Sequence, residues 1–326
     1  MNGKNKTWFS AFLFIFSFLL HADIAVGQED TIRRFDIDVR EFPYLSSSEQ
    51  DSFILRYQPV VTRYVSRIIP DDTLSTTDKL KTFANQTNIK FFFDGIDSTF
   101  PNLDKENKML SKLKENYEHS LTKKFPVIYS IISPYNQSVL LLDTDAAAIA
   151  LNHYLGENYK PYSYFPKHIR MFKTPAKLPF NLIESILRTE YPYRPDQDNL
   201  MERMLYEGII KYAALQLLQI DDVATCCSFT DEQLQWCEQN RTTIFKKVFD
   251  DGLYQKSDPS LFESMLSPAP FSAPISPDSP GEIGKWVGLQ LIQKYASAQQ
   301  ISIRQLLENE IYHNTNLFLT DYSNEQ

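Results

Sequence analysis

The alternation of apolar and polar positions divides the chain into short strands and many helices. Residues 32–39 alternate and predict a strand. Residues 46–64 follow as a helix divided or kinked at Pro59, with Tyr57, Val60, Val61 and Val65 on a core face. A polar segment and another helix occupy residues 71–95, in which the apolar run 89–93 fits either a helix or an edge strand. Residues 105–121 form an amphipathic helix with Met109, Leu110, Leu113 and Tyr117 on one side. Residues 127–132 are β-branched and aromatic, and 139–142 are a short apolar run, so both read as strands around a turn at 133–137. Asp143, Thr144 and Asp145 can cap a helix over residues 146–155, which Gly156 would stop. Residues 180–220 are helical, with Met201, Met204, Leu205, Ile209, Tyr212, Ala213 and Leu217 on one apolar face. Thr230 and Gln233 make a capping box for a helix through residue 249, with Trp236 and Phe245 inward, and a short helix lies within 252–267. A proline-dense loop then leads to a helix over 280–295, with Ser279 as N-cap, Pro280 at the first position and Glu282 completing a capping box. Residues 303–311 close the chain as a final helix. The sum is an α+β fold, predominantly α-helical, with a small sheet or hairpin packed on helices.

Residues 130–156 organise the rest. A hairpin leading into a helix that carries His153 resembles the layout of zincin metalloproteases, in degenerate form. The zinc-binding HExxH signature is absent, and the chain offers Glu157 four residues after His153 across the breaking Gly156. Glu207 reads in two ways. It can pair with Lys211 one turn on, or face His153, where zincin-like proteins place a third ligand on a later helix. Gly208 would let another backbone come close, and Gly284 with Gly288 makes a smooth strip on a second helix. The segment 157–180 is aromatic, basic and proline-containing, and reads mostly as surface loop. Lys160, Lys167, His168, Arg170 and Lys173 could line an anion-binding wall there, or simply be solvated.

The first residues are a targeting segment. Lys4 and Lys6 make a basic start, residues 8–20 an apolar stretch too short for a comfortable membrane span, and residues 25–27 a small-residue cleavage site. This gives a signal peptide over 1–27 and a single domain over 28–326. The expected address is the periplasm or cell envelope. No cysteine stands near the cleavage site to accept a lipid, and no transmembrane helix is expected in the mature chain. The net charge of −8 argues against nucleic acid as a partner. Nine glycines against 23 phenylalanines and 18 tyrosines suit a packed helical protein with aromatic seams. Cys226 and Cys227 are adjacent, so a disulfide from one of them to Cys237 and three buried thiols both remain open.

Four blocks carry a family resemblance: LNHYLGENYKPY, MLYEGIIKY, FTDEQLQWCEQN, and APFS with SPGEIGKWVGLQLIQKY. They resemble, in the same order, the gliding-motility protein B (GldB-like) family of Bacteroidetes, and cover most of the chain from about residue 140 to 295. The resemblance implies an envelope protein tied to gliding machinery, which is linked to type IX secretion. It is also similar to a predicted zinc-protease class with HExxH on one helix and an EG pair on a later one, which would put Glu207-Gly208 in the EG place. Family members are commonly lipoproteins, and this chain lacks the lipid-accepting cysteine.

These readings converge on a cleft made by His153, Tyr154, Glu157, Tyr164, Glu207, Ser279 and Trp286. The leading function is a non-enzymatic envelope accessory protein, without cofactor and without catalytic residues, whose partners are envelope, secretion or motility proteins and which can associate peripherally with the membrane. One alternative is an atypical metal-dependent hydrolase using His153, Glu157 and Glu207. Another is a carbohydrate- or peptide-binding module stacking ligands on Tyr154, Tyr159, Tyr162, Tyr164 and Trp286.

Overall fold

A four-stranded sheet lies at the centre of a mostly helical protein. The computed structural model describes residues 32–134 and 137–323. The leader at 1–27 and the mature start near Gln28 lie outside the described residues. The strands are β1 (Ile32–Arg33), β2 (Val127–Ile131), β3 (Val139–Asp143) and β4 (Ala146–Ala150), in the order β1-β2-β4-β3. β1, β2 and β4 are parallel, and β3 is antiparallel to β4.

β4 corrects the expected helix over residues 146–155. All five of its residues, Ala-Ala-Ala-Ile-Ala, are buried, and it pairs with β2 on one side and β3 on the other. Alanine favours helix, but by no more than about 1 kcal/mol per residue over other ordinary residues. Two flanking ladders outweigh that preference, and small side chains fit a strand covered on both faces. The residues expected to cap the helix make the β3–β4 turn instead. The Asp143 carboxylate accepts from the Thr144 N–H at 2.8 Å and from Arg63 at 3.3 Å.

The start of the chain departs in a similar way. Only Ile32 and Arg33 are in a strand, and Phe35–Glu41 is helix α1. Phe35, Val39 and Phe42 are buried at helical spacing, and Asp36 and Asp38 sit in the positive first turn. The buried Asp36 accepts from Arg34 at 2.9 and 2.8 Å and from the Ser130 hydroxyl, which ties α1 to β2.

The next helices follow the sequence pattern. α2 (Ser47–Arg56) begins in a Ser46–Glu49 capping box, and the helix breaks at Tyr57 and widens to a π turn over Val61–Val65 just after Pro59. Tyr64 there donates to the Ile132 carbonyl at 2.5 Å, fixing the end of β2. α3 (Thr76–Asn85) is followed by helical turns at Thr87–Lys90 and Phe93–Thr99, so the 89–93 run is helical rather than an edge strand. α4 (Asp104–Leu121) buries Leu110, Leu113 and Tyr117, with Met109 half-buried.

The C-terminal part is helix on helix. Its helices are α5 (Leu178–Glu190), α6 (Leu200–Leu218), α7 (Val223–Cys227), α8 (Asp231–Gln239), α9 (Arg241–Phe249), α10 (Pro259–Leu266) and α11 (Ile283–Gln299), and α6 packs against α5, α7, α10 and α11. α6 and α11 cross with backbones touching. A Cβ placed on Gly208 would run into the Gly288 backbone, and one on Gly288 into the Met204 carbonyl. The close approach expected of Gly208 and the glycine strip is therefore present. α11 starts three residues later than the capping pattern suggested. Its N-cap is Glu282, in a left-handed conformation. The Ser279 hydroxyl serves the loop instead: it accepts from the Ser272 N–H at 3.1 Å and lies 2.7 Å from the Ser276 carbonyl. The chain does not end with a helix over 303–311. α12 (Ile303–Glu308) is followed by a 3₁₀ turn at Ile311–His313 and a helix at Thr315–Ser323. Cys226, Cys227 and Cys237 are free and buried.

Candidate functional site

The site lies where the parallel strands β2 and β4 end. Both run on past their last ladder residue into one cavity of about 350 Å³: Ser133 and Pro134 follow β2, and Asn152 and His153 follow β4. Crevices beyond the carboxyl ends of parallel strands are where open α/β sheets bind ligands, because neighbouring chains diverge there.

The turn that carries His153 is clamped from three sides. The Asn152 side chain accepts from the Ser133 N–H at 2.9 Å and donates to the Ser133 carbonyl at 2.7 Å, joining the two strand ends. Buried Tyr162 donates to the Asn152 carbonyl at 2.5 Å and accepts from the Leu155 N–H at 3.2 Å. The Gly156 N–H donates to the Lys173 carbonyl at 2.9 Å, which brings the basic segment against the turn. Gly156 has φ +100, a conformation that glycine alone adopts freely.

Lys173 and His153 form the polar floor. The ammonium of Lys173 lies 3.1 Å from His153 Nδ1, 4.5 Å from the centre of the Phe165 ring and 5.4 Å from that of Tyr162. Burial pushes the Lys173 amine down to about 8, which still leaves it mostly protonated at neutral pH. Among the described residues no carboxylate lies within ion-pairing distance of it. The same two side chains face a second cavity of about 300 Å³, where His168, Tyr154, Lys177, Asn181 and Glu282 stand. The wall that the sequence offered for anions thus reaches the site through Lys173 and His168. Lys160, Lys167 and Arg170 line neither cavity.

The other expected cleft residues divide. Tyr164 is at the rim of the first cavity and 76% exposed. Tyr154 and Trp286 are buried and cannot stack on a ligand: the Tyr154 hydroxyl accepts from Asn181 at 3.1 Å, and Trp286 meets Phe245 edge to face at 6.3 Å. Glu157, set beyond Gly156, lines neither cavity. Ser279 is buried inside its own loop, and the proline-rich segment reaches the second cavity through Glu282.

Glu207 belongs to a different centre. Arg188 donates to its two oxygens at 2.8 and 2.7 Å, a bidentate pair, and with Lys285 nearby holds the carboxyl down at about 2. It borders a separate cavity of about 670 Å³ with Arg203 and Lys285. The ion pair expected with Lys211 is replaced. Lys211 is buried and donates to Glu184 at 2.8 and 2.9 Å and to the Cys226 carbonyl at 2.8 Å. Lys177 donates to the Thr225 and Cys226 carbonyls at 2.6 and 3.0 Å, so two lysines cover the negative end of α7. Among the described residues no three His, Cys, Asp or Glu side chains gather as a metal site. The ligand set His153, Glu157 and Glu207 therefore does not form.

Sequence reasoning missed Phe91, Phe92, Ser133 and Asn152 at the first cavity. The Phe-Phe-Phe run at 91–93 was the available signal, since such a run has to be covered or used. It also missed the Arg188–Glu207 and Lys211–Glu184 pairs, which join different helices and leave no spacing to read.

No helix among the described residues is long and apolar enough to cross a membrane. No curated protein and no solved structure matches the chain significantly. The family model described as gliding motility protein GldB matches residues 21–319, which takes in the strand ends, the Lys173 segment and the α6–α11 crossing alike. With that span matched, the chain belongs to the gliding motility protein GldB family.

Proposed function

We propose that this chain is a non-catalytic accessory protein of the bacterial cell envelope. It acts beside the gliding or type IX secretion apparatus, on the periplasmic side to which a leader over residues 1–27 would deliver it. Family membership supports the gliding association. The accessory role is carried by the Arg188–Glu207 clamp. A carboxylate that accepts two charged hydrogen bonds and stays ionised to about pH 2 is a poor base and is not available to a metal. The cavity at His153 then serves recognition, with Tyr164 and Phe91 presented at its mouth.

The test is cross-linking and capture from native envelopes with a tagged full-length chain. Gliding or secretion components should be enriched, and less so with Tyr164→Asp. Equal capture of unrelated envelope proteins by both forms would remove the assignment to that apparatus. Elemental analysis addresses catalysis: stoichiometric zinc that disappears in His153→Ala would overturn the non-catalytic reading.

A further inference from the structure

The first cavity combines features that neither packing nor the Glu207 centre explains. Its floor carries a half-buried ammonium, Lys173, set against two aromatic rings. Its walls are otherwise largely apolar: Phe92, Pro134, Pro161 and Phe165. Its mouth carries two large rings left in solvent, Tyr164 at 76% and Phe91 at 58% exposed.

Elsewhere among the described residues, buried and half-buried cations have found anionic or carbonyl partners. Lys211 and Arg188 reach carboxylates, and Lys177 reaches two backbone carbonyls. Lys173 has the aromatic faces and His153 Nδ1. Aromatic faces compensate a desolvated cation only in part, whereas an anion set against it would gain a charge-assisted hydrogen bond. The volume suits a small ligand or the last residues of a peptide, at the lower end of ordinary binding pockets.

We propose that this cavity binds an apolar carboxylate, with the carboxylate on Lys173 and the apolar body against Phe92, Pro134 and the exposed Tyr164 and Phe91 rings. The proposal rests on the reading of the cleft as a recognition site and supplies its ligand class. The carboxylate can come from a free acid or from the C-terminus of an apolar peptide. Lysine fits either source, because it acts as a point charge and demands no planar partner.

Calorimetric titration of the full-length chain with two matched pairs tests it. One pair is 4-phenylbutyrate and its neutral amide. The other is acetyl-Ala-Ala-Phe-Phe with a free or an amidated C-terminus. At least one carboxylate should bind, with its neutral partner about tenfold weaker or more, the loss expected for one charged hydrogen bond. The pair that binds identifies the source. Lys173→Met should bring the carboxylate to the affinity of the amide. Tyr164→Ala, at an exposed position that folding does not need, should weaken both members of the pair several-fold. The proposal is overturned if neither carboxylate binds, if acid and amide bind alike, or if Tyr164→Ala binds as the wild type does. Cleavage of the peptide would overturn the non-catalytic reading and leave the ligand class standing. Absence of binding would overturn the ligand class and leave the envelope capture to decide the accessory role.

Discussion

The two polar centres of this protein use similar side chains to opposite ends. Around Glu207, the charges of α5 and α6 answer one another: Arg188 holds Glu207, and Lys211 holds Glu184. The packing there is as closed as the electrostatics, since Gly208 and Gly288 bring two helices to backbone contact. Around His153 the cation lies under aromatic rings, and large apolar side chains face solvent. Burial by itself does not mark a functional charge. The difference is whether its partner is already part of the chain.

If the Glu207 centre is structural, breaking it should unfold the protein before it alters binding. The largest effect is expected from Lys211→Met, which removes both short hydrogen bonds to buried Glu184 and leaves it only the longer Arg188 contact at 3.8 Å. About 3–5 kcal/mol of stability should be lost, while the double change with Glu184→Leu should recover most of it. Urea unfolding of the two variants measures this, and equal stability of the single variant and the wild type would break the contrast. Gly208→Ala comes next, at about 3 kcal/mol, because its methyl meets backbone that cannot rotate away. A drop in thermal midpoint of several degrees or more is the expected reading.

A pH dependence should follow from the same centre. Glu207 is held below the ordinary carboxylate range, mainly by Arg188, which overcomes the effect of burial. Its contribution is therefore complete above the ordinary value and is lost as pH falls toward about 2. Arg188 keeps about a third of its side chain in solvent, so about 2 kcal/mol is expected rather than the full value of the shift. Glu207→Gln should flatten the stability profile between pH 5 and 3, and an unchanged slope would count against the pair.

The smallest effect belongs to the other centre. Lys173→Met exchanges a desolvated cation for an apolar side chain of similar length. Stability should change by less than about 1 kcal/mol, in the favourable direction if at all. A loss of several kcal/mol would make Lys173 a structural residue and erase the distinction between the two regions.

Much of the framework was legible because it is local. Thr230 with Gln233 sits at fixed spacing and caps α8 as expected, although the helix expected to run through residue 249 breaks at Asn240 into α8 and α9. The apolar faces of α4 and α6 repeat with helical period, and the glycines of α6 and α11 marked their own contact. β4 was hidden for the opposite reason. Ala-Ala-Ala-Ile-Ala has no alternation to show, because both of its faces are buried. Ser279 had a capping pattern but spent its hydroxyl on its own loop.

By itself, then, the sequence determined the class of fold, most helix positions and the segment where a pocket would open, since these follow from neighbours a few residues apart. It also carried the family. Only the tertiary structure decided that Lys173, and neither Glu157 nor Glu207, stands beside His153, and that Arg188 holds Glu207. Those pairings join segments about 20 residues apart through the packing of strand ends and helices. A charge's partner is set by which surfaces the core forces together, and no spacing along the chain records that.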